Sequence, residues 1–259
     1  MSDSLYSPSI LLEEVELKEK NVEHTFSQSL PNLKTILGTK LTVEYIDGKP
    51  YYAIKRNPLN GLFNATIKRV FDIVFSFFAI IFVMSWLTPL IAILIKLDSK
   101  GPIFYKQKRA GKNDKIFACL KFRTMTYSKN AEFKAATKND NRVTKIGRFL
   151  RKTSLDEFAQ FFNVFMGEMS IVGPRPHPLK LNDDFQNRVD KYTLRHVVKP
   201  GITGLAQTKG HRGEVCDTLT MKQRIKVDLF YIENWTFWLD MKIIVLTVYS
   251  MCKGDKNAY

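Results

Sequence analysis

The sequence predicts an α/β fold, helix-dominated with a small sheet and anchored to a membrane through one Pro-broken, re-entrant apolar helix. Three observations lead there. Ile73 to Ile95 is a run of 23 uncharged, mostly large apolar residues. Between Gly101 and Met125 two strand-like stretches face each other across a turn. From Ile146 onward, helix-period segments alternate with Gly/Pro-rich loops.

The chain divides into a tail with a hairpin over 1–55, a membrane-associated helix-break-helix over 56–100, and a soluble domain over 101–259. Met1 to Glu23 is polar and acid-rich, which is not the pattern of a signal peptide, and it holds one short helical pattern near Ile10 to Lys20. Leu41–Ile46 and Tyr51–Ile54 flank Asp47-Gly48-Lys49-Pro50, which carries hairpin turn chemistry.

The apolar run matches the roughly 20 residues needed to cross a bilayer. A buried core helix is the competing explanation, yet few soluble helices are apolar on every face for so long. Pro89 removes a backbone donor, so a break is expected at Thr88-Pro89. Both flanks are basic, with Lys68 and Arg69 before the run and Lys96, Lys100, Lys106, Lys108 and Arg109 after it. Positive flanks favour the cytoplasmic side. A helix that dips in and returns satisfies both, whereas a straight span satisfies one.

After the run, Gly101–Gly111 and Lys115–Met125 read as strands around a Gly111–Asp114 turn. Residues 128–140 read as a polar helix or loop. Ile146–Leu150, Leu155–Phe165 and Met221–Ile232 have helical spacing, and Trp235–Met251 is an amphipathic, aromatic-rich helix that packs on the domain or lies at the bilayer surface.

Charge sharpens the functional classes. The net charge is +15, but Lys55 to Lys152 alone holds 21 basic against 5 acidic residues, while residues 1–50 are net acidic. A regional excess of that size asks for an anionic partner: membrane surface, phosphorylated substrate or nucleic acid. The basic residues are not interleaved with stacking aromatics as in an RNA-binding sheet, so no nucleic acid is expected. Cys119, Cys216 and Cys252 are far apart without a CxxC, and the four histidines show no metal-ligand spacing.

The sharpest local signal is Thr153-Ser-Leu-Asp-Glu157. Ser154 and Glu157 have the spacing of a capping box, with Gly167 as a helix stop. Asp156 and Glu157 then fall in a first helical turn, which on its own is an ordinary stabilising arrangement. Arg148, Arg151 and Lys152 stand just ahead, however, and guanidinium groups beside free backbone donors suit a phosphate. Farther on, Gly173-Pro-Arg-Pro-His-Pro178 forces a stiff loop that presents Arg175 and His177 at fixed places. Pro200-Gly-Ile-Thr-Gly204 through Gln207 is a second Gly-rich loop.

Taken in order, Arg69-Val-Phe-Asp72, the Pro-broken apolar segment, Gly101-Pro-Ile-Phe-Tyr-Lys-Gln107, Lys121-Phe-Arg-Thr-Met125, Leu155-Asp-Glu157, Gly173-Pro-Arg-Pro-His177, Pro200-Gly-Ile-Thr-Gly204 and Asn257-Ala-Tyr259 resemble the bacterial sugar transferases, monotopic polyprenyl-phosphate phosphoglycosyl transferases. Arg212-Gly213-Glu214 and the C-terminal end resemble the longer branch that includes glucose and galactose phosphotransferases. Members of that branch carry four further transmembrane helices and another domain in front; the expectation here is a catalytic-core version.

The resemblance implies hexose-1-phosphate transfer from a UDP-sugar to undecaprenyl phosphate through an aspartyl intermediate, with UMP released. UDP-glucose is favoured and UDP-galactose comes next. Asp156 would be the nucleophile, and Glu157 would serve Mg²⁺ and the acceptor. Arg151 and Arg175 would contact phosphate, as would Lys121 and Arg123. Pro174, Pro176, His177, Thr203 and Gln207 would shape the nucleotide and sugar loop. The expected location is the bacterial inner membrane with a cytoplasmic catalytic domain initiating exopolysaccharide, capsule or O-antigen synthesis, and a homodimer is the assembly to test. A membrane-anchored scaffold that binds anionic lipid or nucleic acid is the alternative.

Overall fold

The computed structural model describes residues 41–46, 49–54, 57–127, 140–210 and 217–253. The N-terminal helical pattern, the Asp47-Gly48 turn, the 128–139 segment, Arg212-Gly213-Glu214 and Asn257-Ala-Tyr259 lie outside the described residues.

The first of the described elements form the expected hairpin, β1 (Leu41–Ile46) and β2 (Lys49–Ile54), paired antiparallel with Leu41 opposite Ile54, and Lys49 and Pro50, expected in the turn, already belong to β2. A 37-residue helical rod follows from Leu62 to Asp98. It consists of α1 (Leu62–Phe78), a π-helical segment (Ala79–Met84) and α2 (Ser85–Asp98).

The expected break at Thr88-Pro89 is not there. Pro89 sits inside α2, and the disturbance is taken up one turn upstream. There the Ser85 N–H donates to Ile80, five residues back, instead of four. Proline cannot donate to residue i−4 and crowds that carbonyl. A π turn ahead of it lets the helix continue by widening its hydrogen-bond spacing. Side chains reinforce the widened turn: the Ser85 hydroxyl donates to Ile81 O at 2.5 Å and the Trp86 indole to Phe82 O at 2.9 Å.

One side of the rod packs against the rest of the protein. Lys68, Asp72 and Ser76 are buried on α1, and Leu87, Ile91 and Ile95 on α2. The other side leaves Val70, Val74, Phe78, Phe82, Trp86, Leu90, Ile93 and Leu97 exposed. Charged residues near its start act as docking pins. Arg69 donates to Val164 O at 2.7 Å and Phe165 O at 2.8 Å. Asp72 accepts from Ser170 Oγ at 3.0 Å and Ile171 N at 2.9 Å. Lys68 pairs with Asp240 at 2.6 Å and donates to the Tyr231 hydroxyl at 3.2 Å. The far end is pinned as well, where Asp98 accepts from Ile146 N at 2.9 Å.

β3 (Phe104–Ala110) and β4 (Ile116–Phe122) form the expected hairpin, with Tyr105 opposite Lys121. Helix α3 (Lys145–Lys152) is capped by the Thr144 hydroxyl, which accepts from Gly147 N. A 3₁₀ turn over Leu155–Ala159 leads into α4 (Gln160–Met166). Strands β5 (Ser170–Val172) and β6 (Gly201–Thr203) pair in parallel. Between them run α5 (Leu179–Phe185) and a 3₁₀ segment, Tyr192–Val197. After α6 (Leu205–Thr208) come the two long helices α7 (Thr218–Glu233) and α8 (Phe237–Lys253). Among the described residues the small sheet is thus three separate two-stranded pairs.

Two apolar cores result. The larger gathers Val164, Met169, Val172, Tyr192, Met221, Ile232 and Ile243. The smaller joins Leu87, Ile91 and Ile95 of the rod to Phe122, Leu150 and Ala159. Strand β4 contributes Cys119 to the first and Phe122 to the second, so Lys121 stands at the seam between them.

Candidate active site

The carboxylate pair sits on that seam, but not in the way a capping box would place it. Ser154 is left-handed (φ 57°) and its side chain makes no cap. Glu157 does not reach back to it. Instead the Glu157 carboxylate is drawn into a pair of cations: Lys121 Nζ lies 2.7 Å from Oε1, and Arg175 grips both oxygens, with Nη1 3.0 Å from Oε2 and Nη2 on Oε1. A charge-assisted, bidentate partner outcompetes a single backbone N–H for the same carboxylate. The tight turn at Ser154, an uncommon backbone state for a residue with a side chain, ends α3 and redirects the chain into the pair.

Asp156 is treated differently. It is buried at 8% exposure, Lys121 Nζ stands 3.9 Å away, and no donor among the described residues hydrogen-bonds it. Burial therefore pushes its carboxyl up to about 6; the Lys121 charge opposes, the Glu157 charge adds, and Arg151 and Arg175 oppose. Burial also works against an ionised Glu157, but Arg175 and Lys121 together outweigh it and hold that carboxyl well below its ordinary value. Two adjacent carboxyls are thus split: one locked ionised, the other poised near neutrality.

Asn163 fixes this placement. Its amide donates to Ala118 O at 2.8 Å while Leu120 N donates to its carbonyl at 2.9 Å, so it pairs with β4 as a neighbouring strand would. That contact clamps the middle of α4 to the strand carrying Lys121. The same amide donates to the nearby Glu168 Oε2 at 2.6 Å, but the β4 partners lie more than 40 residues away, and nothing in local spacing marks Asn163 for them.

The two Gly/Pro loops form one clasp. Gly173 N donates to Thr203 O at 2.9 Å and Gly201 N to Pro174 O at 3.0 Å. The backbones are so close that a Cβ on Gly201 would meet Gly173 N at 2.1 Å, which only glycine avoids. The clasp buries Pro174 and Pro176 and leaves Arg175 facing Glu157.

The remaining predicted residues fall into two groups. Arg151 stays close enough for its charge to lower the Asp156 carboxyl, while its Nε donates to Thr124 Oγ1 at 2.8 Å. Arg123 is not brought to the pair: its guanidinium is spent on the carbonyls of Ser99 (2.7 Å) and Lys100 at the end of the rod. His177 is buried under the loop against Tyr192 and Arg195, and burial together with nearby cations pushes its imidazole well below its ordinary value. Thr203 meets Thr247 of α8 at 2.6 Å, and Gln207 donates to Ile202 O at 3.2 Å. These side chains hold the clasp. Thr88 and Pro89 lie within α2.

Among the described residues no three His, Cys, Asp or Glu side chains gather into a metal cage. The donors present, Glu157 ion-paired to Lys121 and Arg175 and Asp156 beside it without a hydrogen-bond donor among the described residues, are the carboxylate oxygens that suit a hard cation such as Mg²⁺.

The profile of the family described as Bacterial sugar transferase matches residues 63–254, from the rod through α8. The chain belongs to this family. It is 46% identical over 233 residues to a UDP-glucose:undecaprenyl-phosphate glucose-1-phosphate transferase of Klebsiella pneumoniae, covering 89% of this chain and 49% of that protein. A protein of the same name from Caulobacter vibrioides is 41% identical over 196 residues, 74% of this chain and 72% of the relative. A UDP-N-acetylgalactosamine-undecaprenyl-phosphate N-acetylgalactosaminephosphotransferase of Aeromonas hydrophila is 40% identical over 194 residues, 73% of this chain and 44% of the relative. The chain spans about half the length of the Klebsiella protein. The sugar transferase core, with its carboxylate pair and its Gly-Pro-Arg-Pro clasp, lies within the matched residues.

Proposed function

We propose that this chain transfers glucose-1-phosphate from UDP-glucose to undecaprenyl phosphate, initiating exopolysaccharide synthesis at the cytoplasmic face of a bacterial inner membrane. The observation that carries the reading is the divided carboxylate pair: a buried Asp156 without hydrogen-bond donors among the described residues, beside a Glu157 already neutralised by Lys121 and Arg175. The names of the Klebsiella and Caulobacter relatives support the choice of glucose.

In the first step an Asp156 oxygen attacks the phosphorus that bears the sugar. The bond to the UMP oxygen breaks, and a sugar-phosphoryl-aspartate remains. In the second step a phosphate oxygen of undecaprenyl phosphate attacks that phosphorus and returns the carboxylate. Asp156 must be ionised to begin, and Lys121 favours that form. Arg175 and Lys121, preorganised by Glu157, offer cationic donors where charge accumulates on the phosphoryl oxygens. Arg151, with one guanidinium edge engaged by Thr124, completes the positive wall. When bound, Mg²⁺ would supply further charge neutralisation at the phosphates, held by Glu157 and Asp156.

The rod supports the membrane placement. At about 55 Å it is longer than the ~30 Å hydrocarbon layer, and both of its ends are pinned to the same protein body, through Lys68, Arg69 and Asp72 at one end and Asp98 and the Arg123 contacts at the other. That supports a rod that enters and stays on one side, with the exposed Val70-to-Leu97 face and the apolar residues Trp238, Val245 and Val248 of α8 in lipid.

The deciding measurement is UMP release from membranes containing the protein, with Mg²⁺ and undecaprenyl phosphate, across UDP-glucose, UDP-galactose and the UDP-N-acetylhexosamines. UDP-glucose should give the fastest release. Release without the lipid phosphate at the full rate, or none from any UDP-sugar, would overturn the reading.

A further inference from the structure

We propose that Arg195, paired with Asp228 beneath the Pro-Arg-Pro loop, is a positioning residue that fixes the Arg175 main chain so that its guanidinium meets Glu157. The proposal rests on the transferase reading above for its turnover assay, but not for its spectroscopic one.

Arg195 is 2% exposed, among the largest side chains in the protein to be so fully enclosed. It projects from the Tyr192–Val197 segment, which follows α5 and the turn at Lys191. Its Nη2 donates to Arg175 O at 2.5 Å and lies 2.9 Å from Asp228 Oδ2 on α7. Its Nη1 stands 2.6 Å from His177 Nδ1, and the guanidinium lies over the Tyr192 ring, 5.8 Å from its centroid. Tyr192 in turn donates to Asn182 at 2.6 Å. From the β3 side, the buried Arg109 donates to the next carbonyl, Pro176 O. Successive loop carbonyls therefore each receive a buried guanidinium.

The chemistry of the loop explains why. The β5–β6 ladder ends at Pro174, whose carbonyl takes the last strand-like bond. Pro174, Pro176 and Pro178 provide no N–H, so the loop has few backbone donors of its own, and the bridge between Arg109 and Pro178 ties only its far end to β3. A loop that only had to turn would not need two guanidinium groups taken out of water, each expensive unless fully paired. One that must hold a bidentate arginine in register does need them, because a misplacement of about 1 Å at a reacting centre can cost on the order of 10²-fold.

Arg195→Lys keeps the charge but replaces the planar fork, whose two nitrogens meet His177 on one side and Arg175 O and Asp228 on the other, with one compact ammonium that cannot span them in the same geometry. Turnover should fall by about 10- to 100-fold with the thermal transition retained. The same change in an Arg175→Lys background should cost no more than about twofold, since neighbours acting through one group are non-additive. A general packing role would give the same factor in both backgrounds, and that result would overturn the proposal. Independently of turnover, the Arg175 Nε–H resonance, assigned by its loss in Arg175→Lys, should move in Arg195→Lys as it does in Glu157→Gln. An unmoved resonance would also overturn it. Should Arg195→Lys lose its thermal transition, Asp228→Asn repeats both readings. A wild type inactive on every UDP-sugar would sink the transferase reading, while the resonance shift still decides the positioning.

Discussion

Two lysine–carboxylate sites in this molecule are alike in composition and differ in completeness. At the base of the rod, Asp240 accepts from Lys68 at 2.6 Å, the Trp235 indole at 3.0 Å and the Tyr231 hydroxyl at 2.8 Å, and it is 1% exposed. At the seam, Asp156 has Lys121 at 3.9 Å and no hydrogen-bond donor among the described residues. A buried carboxylate that is fully hydrogen-bonded is a fastener. One left short of protein donors is instead held above its ordinary value by burial and stays open to other partners.

Substitutions at the two sites should therefore fail in opposite ways. Asp156→Asn should lower UMP release by about 10⁴-fold, in line with the loss of a nucleophile. Activity within tenfold of wild type would remove Asp156 from that role. The same variant should be more stable at pH 7 by about 2 kcal/mol, read as a raised unfolding midpoint. The sign follows from Asp156 standing at about 6 in the fold against 3.8 outside it. The folded form holds its proton more tightly, so the ionised carboxylate costs stability in full above pH 6 and nothing below 3.8.

Lys68→Met should do the reverse. With Asp240 left buried and short of its cation, stability should drop by about 3–5 kcal/mol, a midpoint shift on the order of 10 °C, while turnover per folded molecule holds. A midpoint within about 2 °C of wild type would mean that the rod's base is not the fastener described here.

Asn163→Ala should cost about 1–3 kcal/mol, because Ala118 O and Leu120 N are left without it, and should loosen the seam enough to lower turnover as well. The smallest effect is on pH. Below about pH 6 the rate should fall tenfold per unit as Asp156 takes up its proton, and Lys121→Gln should move that limb upward, since Lys121 favours the ionised form. A downward movement would mean that another group sets the limb.

The parts of the site that are local were legible in the sequence. Asp156, Glu157 and Arg175 stand in short motifs whose proline and acid content is plain, and the β3–β4 hairpin carrying Lys121 is marked by its turn. Ser154 departs from the capping role its spacing predicts, because a serine's left-handed backbone state is set by the turn out of α3 and leaves no mark in the residue type. Arg123 was expected at phosphate, although the nearby carbonyls at the rod's end claim it first. Lys68 with Asp240, Asn163 with β4, and Arg195 with Asp228 were invisible, since each joins positions brought together only by tertiary folding. A charge beside an apolar run reads as a membrane flank; that Lys68 and Arg69 are also fastenings required the packed body.

The π turn in the rod has a consequence beyond accommodating Pro89. Asp72 and Ile91 are 19 residues apart, as are Ser76 and Ile95, which in an unbroken α-helix would set each pair about 100° apart around the axis. All four are nonetheless buried on the protein side. The single residue gained between Ala79 and Met84 is a phase correction of about that angle. It aligns the polar stripe of α1 with the aliphatic stripe of α2, so that both face the protein body. Deleting one residue there would leave the hydrophobicity of the rod nearly intact and rotate Leu87, Ile91 and Ile95 away from the protein body, uncoupling the rod from the seam it braces.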